Sequence, residues 1–226
     1  MRVLVAAAHP DDEVLGCGAT MARLAAQGHE VRTLICSGGV ASRFDAPPQD
    51  LAERLAAQRN CARDAAGELG VEAPLFLDFP DNQFDSRPLL ELVKAVSEVI
   101  DDYAPDSVFT HHGGDLNVDH SALFRAVLTA ARPMRGCPVK DIYSFEVPSS
   151  TEWSFGKVER PFVPSVYFDA GETLEAKVRA MARYEAEARP HPHPRSPEAL
   201  RALALRRGSE TGLDAAEAFE LIRSVR

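Results

Sequence analysis

The chain is expected to be an α/β protein built on a mostly parallel sheet. Three observations point there. Apolar, strand-like runs alternate with helix-like stretches. Residues 3–36 join two such runs through one helix, a βαβ unit. Ionisable residues gather where two of the runs end, at the edge where open α/β sheets carry their sites. The 226 residues suit a single domain, 1–226, long enough to bury a core.

The elements follow in order. Val3-Leu4-Val5-Ala6-Ala7 is apolar enough for a buried strand, and Val14 to Leu24 reads as a helix closed by Gly28. Residues 29–36 form a second strand, and Ser37-Gly38-Gly39 ends it as a loop. Pro47 and Pro48 mark 41–49 as a loop, and Gly70 closes a long helix over 51–69. On that helix Arg54, Arg59 and Arg63 form a solvated face balanced by Glu53, Asp64 and Glu68. A short strand at 74–77 runs into a polar loop, 78–85, in which Asp81 and Asp85 either line a pocket or form turns. Leu90, Val93, Val96, Val99 and Ile100 give the helix at 88–103 its apolar face. A strand at 107–111 leads to a helix over 121–131, which His120 opens. Strands are expected at 141–145 and 164–168, and a helix at 172–186. Proline alternation makes 190–194 extended, and two short helices at 197–206 and 214–223 complete the chain.

The bulk properties narrow the function. A net charge of −9 disfavours nucleic acid and anionic membrane surfaces as partners, because both need basic patches. No apolar run approaches the roughly 20 residues of a membrane span, so membrane insertion is not expected. The first residues lack the pattern of a secretion signal, which makes the cytoplasm the default. Cys17, Cys36, Cys61 and Cys137 are far apart and read as thiols without disulfides.

The chemistry concentrates in Ala8-His9-Pro10-Asp11-Asp12-Glu13, between the first strand and the first helix. A helix cap explains one Asp there but neither His9 nor the second Asp. So many carboxylates side by side repel one another unless a cation sits among them. The second cluster is His111-His112-Gly113-Gly114-Asp115-Leu116-Asn117-Val118-Asp119-His120, again between a strand and a helix. Ends of parallel strands are neighbours in space, so the two clusters can meet. His9, Asp12 and His120 then supply the three-ligand set of a catalytic zinc site. A metal there would bring the pKa of its water to about 7. Asp11, beside a ligand yet pointing elsewhere, is placed to act as a general base. Gly16-Cys17-Gly18 is no dinucleotide fingerprint, since the third glycine is missing and carboxylates precede it.

This arrangement resembles the PIG-L/LmbE-like zinc-dependent N-deacetylases. The likeness rests on residues 8–13 and on Asn117-Val118-Asp119-His120. It extends to Leu69-Gly70-Val71, His193-Pro194-Arg195-Ser196 and Ala216-Glu217-Ala218-Phe219. It implies a Rossmann-like three-layer sandwich, zinc held by His9, Asp12 and His120, and an N-acetylated amino sugar or sugar conjugate as substrate. Asp11 would take a proton from water and return it to the departing amine, and Asp119 would orient a neighbouring imidazole. Much of the family has a histidine where this chain has Asn117, and that histidine stabilises the oxyanion. Three substitutes are open: the Asn117 amide, His112, or the metal alone. Arg59 falls near a position where relatives place a substrate-contacting arginine. A homo-oligomer is compatible with the family.

Rival readings remain at this stage. Another divalent ion such as Fe2+ suits the ligands, and two His with one carboxylate also describe Fe(II) oxygenases. A non-sugar amide is the alternative substrate. A sugar-binding protein with zinc as a structural clip is the non-enzymatic alternative, and it has no need of Asp11.

Overall fold

Period two in the first strand divides the core into two layers. Val3 and Val5 enter one cluster of buried side chains, and Leu4 and Ala6 enter the other. A strand buried on both faces belongs inside a parallel sheet with helices on each side. The computed structural model, which describes residues 1–226 except the side chain of Arg43, has that arrangement. The strands are β1 (Arg2–Ala7), β2 (Glu30–Ser37), β3 (Leu75–Phe79), β4 (Ser107–His111), β5 (Asp141–Phe145), β6 (Val166–Asp169) and β7 (Ala216–Arg223). The helices are α1 (Asp12–Ala26), α2 (Leu51–Leu69), α3 (Leu89–Tyr103), α4 (Val118–Ala130), α5 (Leu174–Ala182) and α6 (Pro197–Ser209).

All seven strands lie in one sheet of order β3-β2-β1-β4-β5-β7-β6. β1 to β5 are parallel, and only β7 runs antiparallel, to β5 on one side and β6 on the other. One core layer joins the sheet to α1, α2 and α5 through Leu15, Met21, Ala65 and Met181. The other joins it to α3 and α4 through Leu92, Val96, Ile100 and Leu123. The chain leaves β1 toward β2 and later returns to place β4 on β1's other side. That reversal opens a crevice beyond the carboxyl ends of β1 and β4, which is where such sheets bind ligands.

The last element departs from expectation. Residues 214–223 were expected to be helical, because Ala216-Glu217-Ala218-Phe219-Glu220-Leu221 is rich in helix formers. They form β7 instead. Phe219 pairs in register with Phe145 and Val166, is fully buried, and meets the ring of Phe109 edge-on with centroids 5.1 Å apart. Burying such a ring contributes about 1.5–3 kcal/mol, which outweighs a propensity difference of tenths per residue.

β7 also fastens α1. Glu217 accepts hydrogen bonds from the amides of Ala19 and Thr20 at 3.1 and 2.7 Å, and Lys177 Nζ reaches it at 2.6 Å. The same ammonium donates to the Leu15 carbonyl at 2.7 Å. Beside it, a Cβ on Gly16 would lie 2.2 Å from the Phe145 ring, so only glycine lets α1 come this close to β5.

Smaller differences concern ends. α5 stops at Ala182 rather than 186, and α4 starts at Val118, which puts His120 inside its first turn. Residues 190–194 are not extended. His193 N donates to Pro190 O and Ser196 N to His193 O, closing two turns.

Candidate active site

The turn after β1 is built around Asp11, whose φ of 103° lies in a region that costs a non-glycine residue about 1–3 kcal/mol. Its amide donates to Glu13 Oε2 at 3.1 Å, and the hydroxyl of buried Tyr184 donates to the other oxygen of Glu13. This turn faces the start of α4 across the crevice.

Asp12 Oδ2 lies 3.2 Å from His9 Nδ1 and 3.2 Å from His120 Nε2. The two imidazole centroids are 5.5 Å apart. Ligand atoms of His9, Asp12 and His120, all buried, fall within 4.8 Å of one another. A carboxylate backs each imidazole from behind. Asp119 Oδ2 is 3.0 Å from His9 Nε2, and Asp115 Oδ1 is 3.1 Å from His120 Nδ1. Asp115 is in turn held by the hydroxyls of Ser150 and Thr151. His111 stacks on His120 with centroids 3.8 Å apart and accepts the Ala8 amide on Nε2 at 2.9 Å.

Charge explains what this corner wants. Asp11, Asp12, Asp81, Asp115 and Asp119 are all buried. Buried carboxylates persist only when paired. Burial disfavours charge on His9, but its hydrogen bonds to Asp119 and Asp12 outweigh that and raise its pKa to about 9. For His120, burial is likewise overcome by Asp12 and Asp115, giving about 10. Burial alone would raise Asp12, yet His120, His9 and His111 hold it well below the usual carboxylate range. The pocket thus concentrates positive charge between its carboxylates. Two imidazoles and a carboxylate with oriented partners form a donor set that a divalent ion such as zinc fits. A second set, His9, Asp81 and Asp119, shares His9, but its carboxylates already accept the amides of Ser42 and Phe84 at 2.9 Å each.

A polar cavity of about 150 Å³ opens over His9, Asp12 and His120 and is also lined by Asp11, Asn117 and Arg195. Asn117 caps α4, its Oδ1 accepting the Asp119 amide at 2.9 Å while its Nδ2 donates to Asn82 at 2.8 Å. Asp11 stands beside the cluster. Burial pushes its carboxyl well above the usual range, against the pull of Arg195.

Two residues expected near substrate lie elsewhere. Arg59 pairs with Asp78 at 2.5 Å and packs over the Phe76 ring, away from the cavity lining. His112 reaches β7 rather than the cavity lining, with Nδ1 2.8 Å from Glu220 and Nε2 2.9 Å from the Arg160 carbonyl. Conversely, Asp115, Glu187 and Arg195 went unassigned in the sequence, although Asp115 sits inside the second cluster and Arg195 inside the stretch His193-Pro194-Arg195-Ser196. Ser196-Pro197-Glu198 signals a helix start, and that start delivers Arg195 to the cavity.

Fold and site together define a class: a doubly wound α/β protein with a buried His–Asp–His cluster at its topological switch point. Comparison with known proteins makes the assignment specific. The family model described as PIG-L, GlcNAc-PI de-N-acetylase, matches residues 4–131, and the chain belongs to that family. The uncharacterized deacetylase YaiS of Escherichia coli (strain K12) is 26% identical over 189 residues, covering 81% of this chain and 90% of that protein. A 1D-myo-inositol 2-acetamido-2-deoxy-alpha-D-glucopyranoside deacetylase of Mycobacterium sp. (strain KMS) is 28% identical over 222 residues, covering 80% and 72%. The solved N,N'-diacetylchitobiose deacetylase of Pyrococcus horikoshii superposes with a TM-score of 0.78 at 19% identity, covering 98% of this chain and 84% of that one, a likeness of fold.

Proposed function

We propose that the protein is a zinc-dependent N-deacetylase that hydrolyses the acetamide of an N-acetylglucosamine-type sugar or sugar conjugate, releasing acetate and the free amine. The observation that carries this reading is the convergence of His9, Asp12 and His120 within 4.8 Å, with Asp11 on the same cavity but outside the cluster. The deacetylase relatives supply the substrate class.

His9, Asp12 and His120 would hold the ion, with Asp119 and Asp115 fixing the two imidazoles. When bound, zinc polarises the amide carbonyl and acidifies a water. Asp11 would accept a proton from the attacking water and return it to the nitrogen of the leaving amine. The Asn117 amide gives one hydrogen to Asn82, and its second is assigned to the developing oxyanion. Ser149, Ser150 and Asn82 offer neutral partners for sugar hydroxyls. Arg59 and His112 take no part in this scheme. The widely spaced thiols suit a reducing compartment, which favours the cytoplasm.

The test is an amine-release screen of the zinc-reconstituted protein over N-acetylglucosamine, N,N'-diacetylchitobiose and inositol-linked N-acetylglucosamine. Turnover of at least one, abolished by chelation and restored by zinc, is expected. A zinc-loaded protein that releases amine from none of them, nor from other N-acetylated sugars, overturns the reading.

A further inference from the structure

Asp11 is held from behind by its own turn, but its carboxylate is oriented from the opposite end of the chain. Arg195 Nη1 donates to Asp11 Oδ2 at 2.7 Å, bridging 184 positions of sequence. The Asp11 side chain is 3% exposed and that of Arg195 22%, so the pair sits at the cavity wall rather than in bulk solvent.

The guanidinium is itself pinned. Its Nε donates to Ser149 Oγ at 2.8 Å, and Nη1 also reaches Glu187 at 3.3 Å. Glu187 is anchored by Gln58 Nε2 at 3.1 Å, and the Ser149 amide donates to Glu152 at 2.7 Å. The backbone under the guanidinium is fixed too, since the Arg195 amide donates to His193 Nδ1 and Ser196 caps α6. Side chains from the β5–β6 loop and the segment before α6, the latter anchored from α2, thus converge on one planar group, and that group aims at one oxygen of Asp11.

We propose that Arg195 is a positioning residue for the reaction: it locks the Asp11 carboxylate in the rotamer from which it meets water, with Ser149 and Glu187 aiming the guanidinium. The inference rests on the hydrolytic reading above. A planar fork pre-organised in this way orients a carboxylate as a lysine ammonium cannot. Misplacing a base by about 1 Å costs on the order of 100-fold in rate.

The experiment compares zinc-loaded, full-length wild type with Arg195→Ala, Arg195→Lys and Ser149→Ala. Zinc content and melting temperature are recorded for each. Arg195→Ala is expected to keep its zinc, to lose about 100-fold in kcat with KM changed less than about threefold, and to regain at least about tenfold with added guanidinium ion. Arg195→Lys should fall between, and Ser149→Ala should lose less than Arg195→Ala. A crystal structure of zinc-loaded Arg195→Ala should show the Asp11 carboxylate displaced or in more than one rotamer. Retained kcat, a loss confined to KM, failure of guanidinium to rescue a folded variant, or an unmoved Asp11 each overturns the proposal. A silent wild type would sink the hydrolytic reading instead, and the crystal structure still decides whether Arg195 clamps Asp11.

Discussion

His9 Nε2 and Asp119 Oδ2 stand 3.0 Å apart although 110 positions of sequence separate them. The contact leaves Nδ1 of the same ring turned toward Asp12. Asp119→Asn keeps the shape but loses the charge that orients the ring. Zinc affinity, measured by competition with a chromogenic chelator, is expected to fall 10–100-fold.

Asp11 should separate metal binding from turnover. Asp11→Asn removes the base while leaving His9, Asp12 and His120 intact. Zinc stoichiometry by elemental analysis should stay at the wild-type value, and kcat should drop by about 10²–10⁴. A variant that turns over near the wild-type rate returns the base assignment to zero.

Lys177 and Glu217 form an ion pair with side chains 6% and 5% exposed. Lys177→Met strands the carboxylate against the amides of α1. Breaking such a pair costs about 3–5 kcal/mol. For a chain of this size the melting temperature, read by calorimetry, should fall by about 10 °C. Adding Glu217→Gln should recover part of it, since the charge is then gone, while its single amide oxygen still accepts one of the Ala19 and Thr20 amides.

His112 faces acceptors on both nitrogens, an arrangement only the imidazolium satisfies. Burial opposes its charge, but the bond to Glu220 raises its pKa above 6.5. Its stabilising contribution is therefore complete below pH 6.5 and fades as pH rises through the raised value. For Glu220 burial is outweighed by His112, so its pKa is lowered, and its contribution is lost as pH falls through that lowered value. Thermal melts across pH 5–9 should show the wild type losing stability on the alkaline side relative to His112→Gln. Parallel curves for the two proteins would contradict the ion pair.

What the sequence disclosed was local. His9 and Asp12 share one turn, so their spacing alone suggested a ligand pair, and His120 stood out because a second strand ended in the same manner. The parallel core was legible through the apolar runs of β1, β2 and β4. Arg195 and Glu187 were not, because their value lies in reaching residues far away in sequence, and no periodicity records that. β7 was misread for a related reason: an Ala- and Glu-rich segment takes strand form only because a slot between β5 and β6 awaits Phe219. Arg59 was undecidable in the other direction, since a cation at helical spacing looks the same whether it meets a substrate or a carboxylate such as Asp78.

The three proposed ligands, His9, Asp12 and His120, all precede the end of α4, whereas the guanidinium that meets Asp11 belongs to a segment some seventy residues further along. On a ribosome the growing polypeptide therefore carries all three proposed ligands well before it carries the arginine that would aim the base. On that scheme the residues for holding a metal and the residues for using it emerge at different times, the second set only with nearly the whole chain.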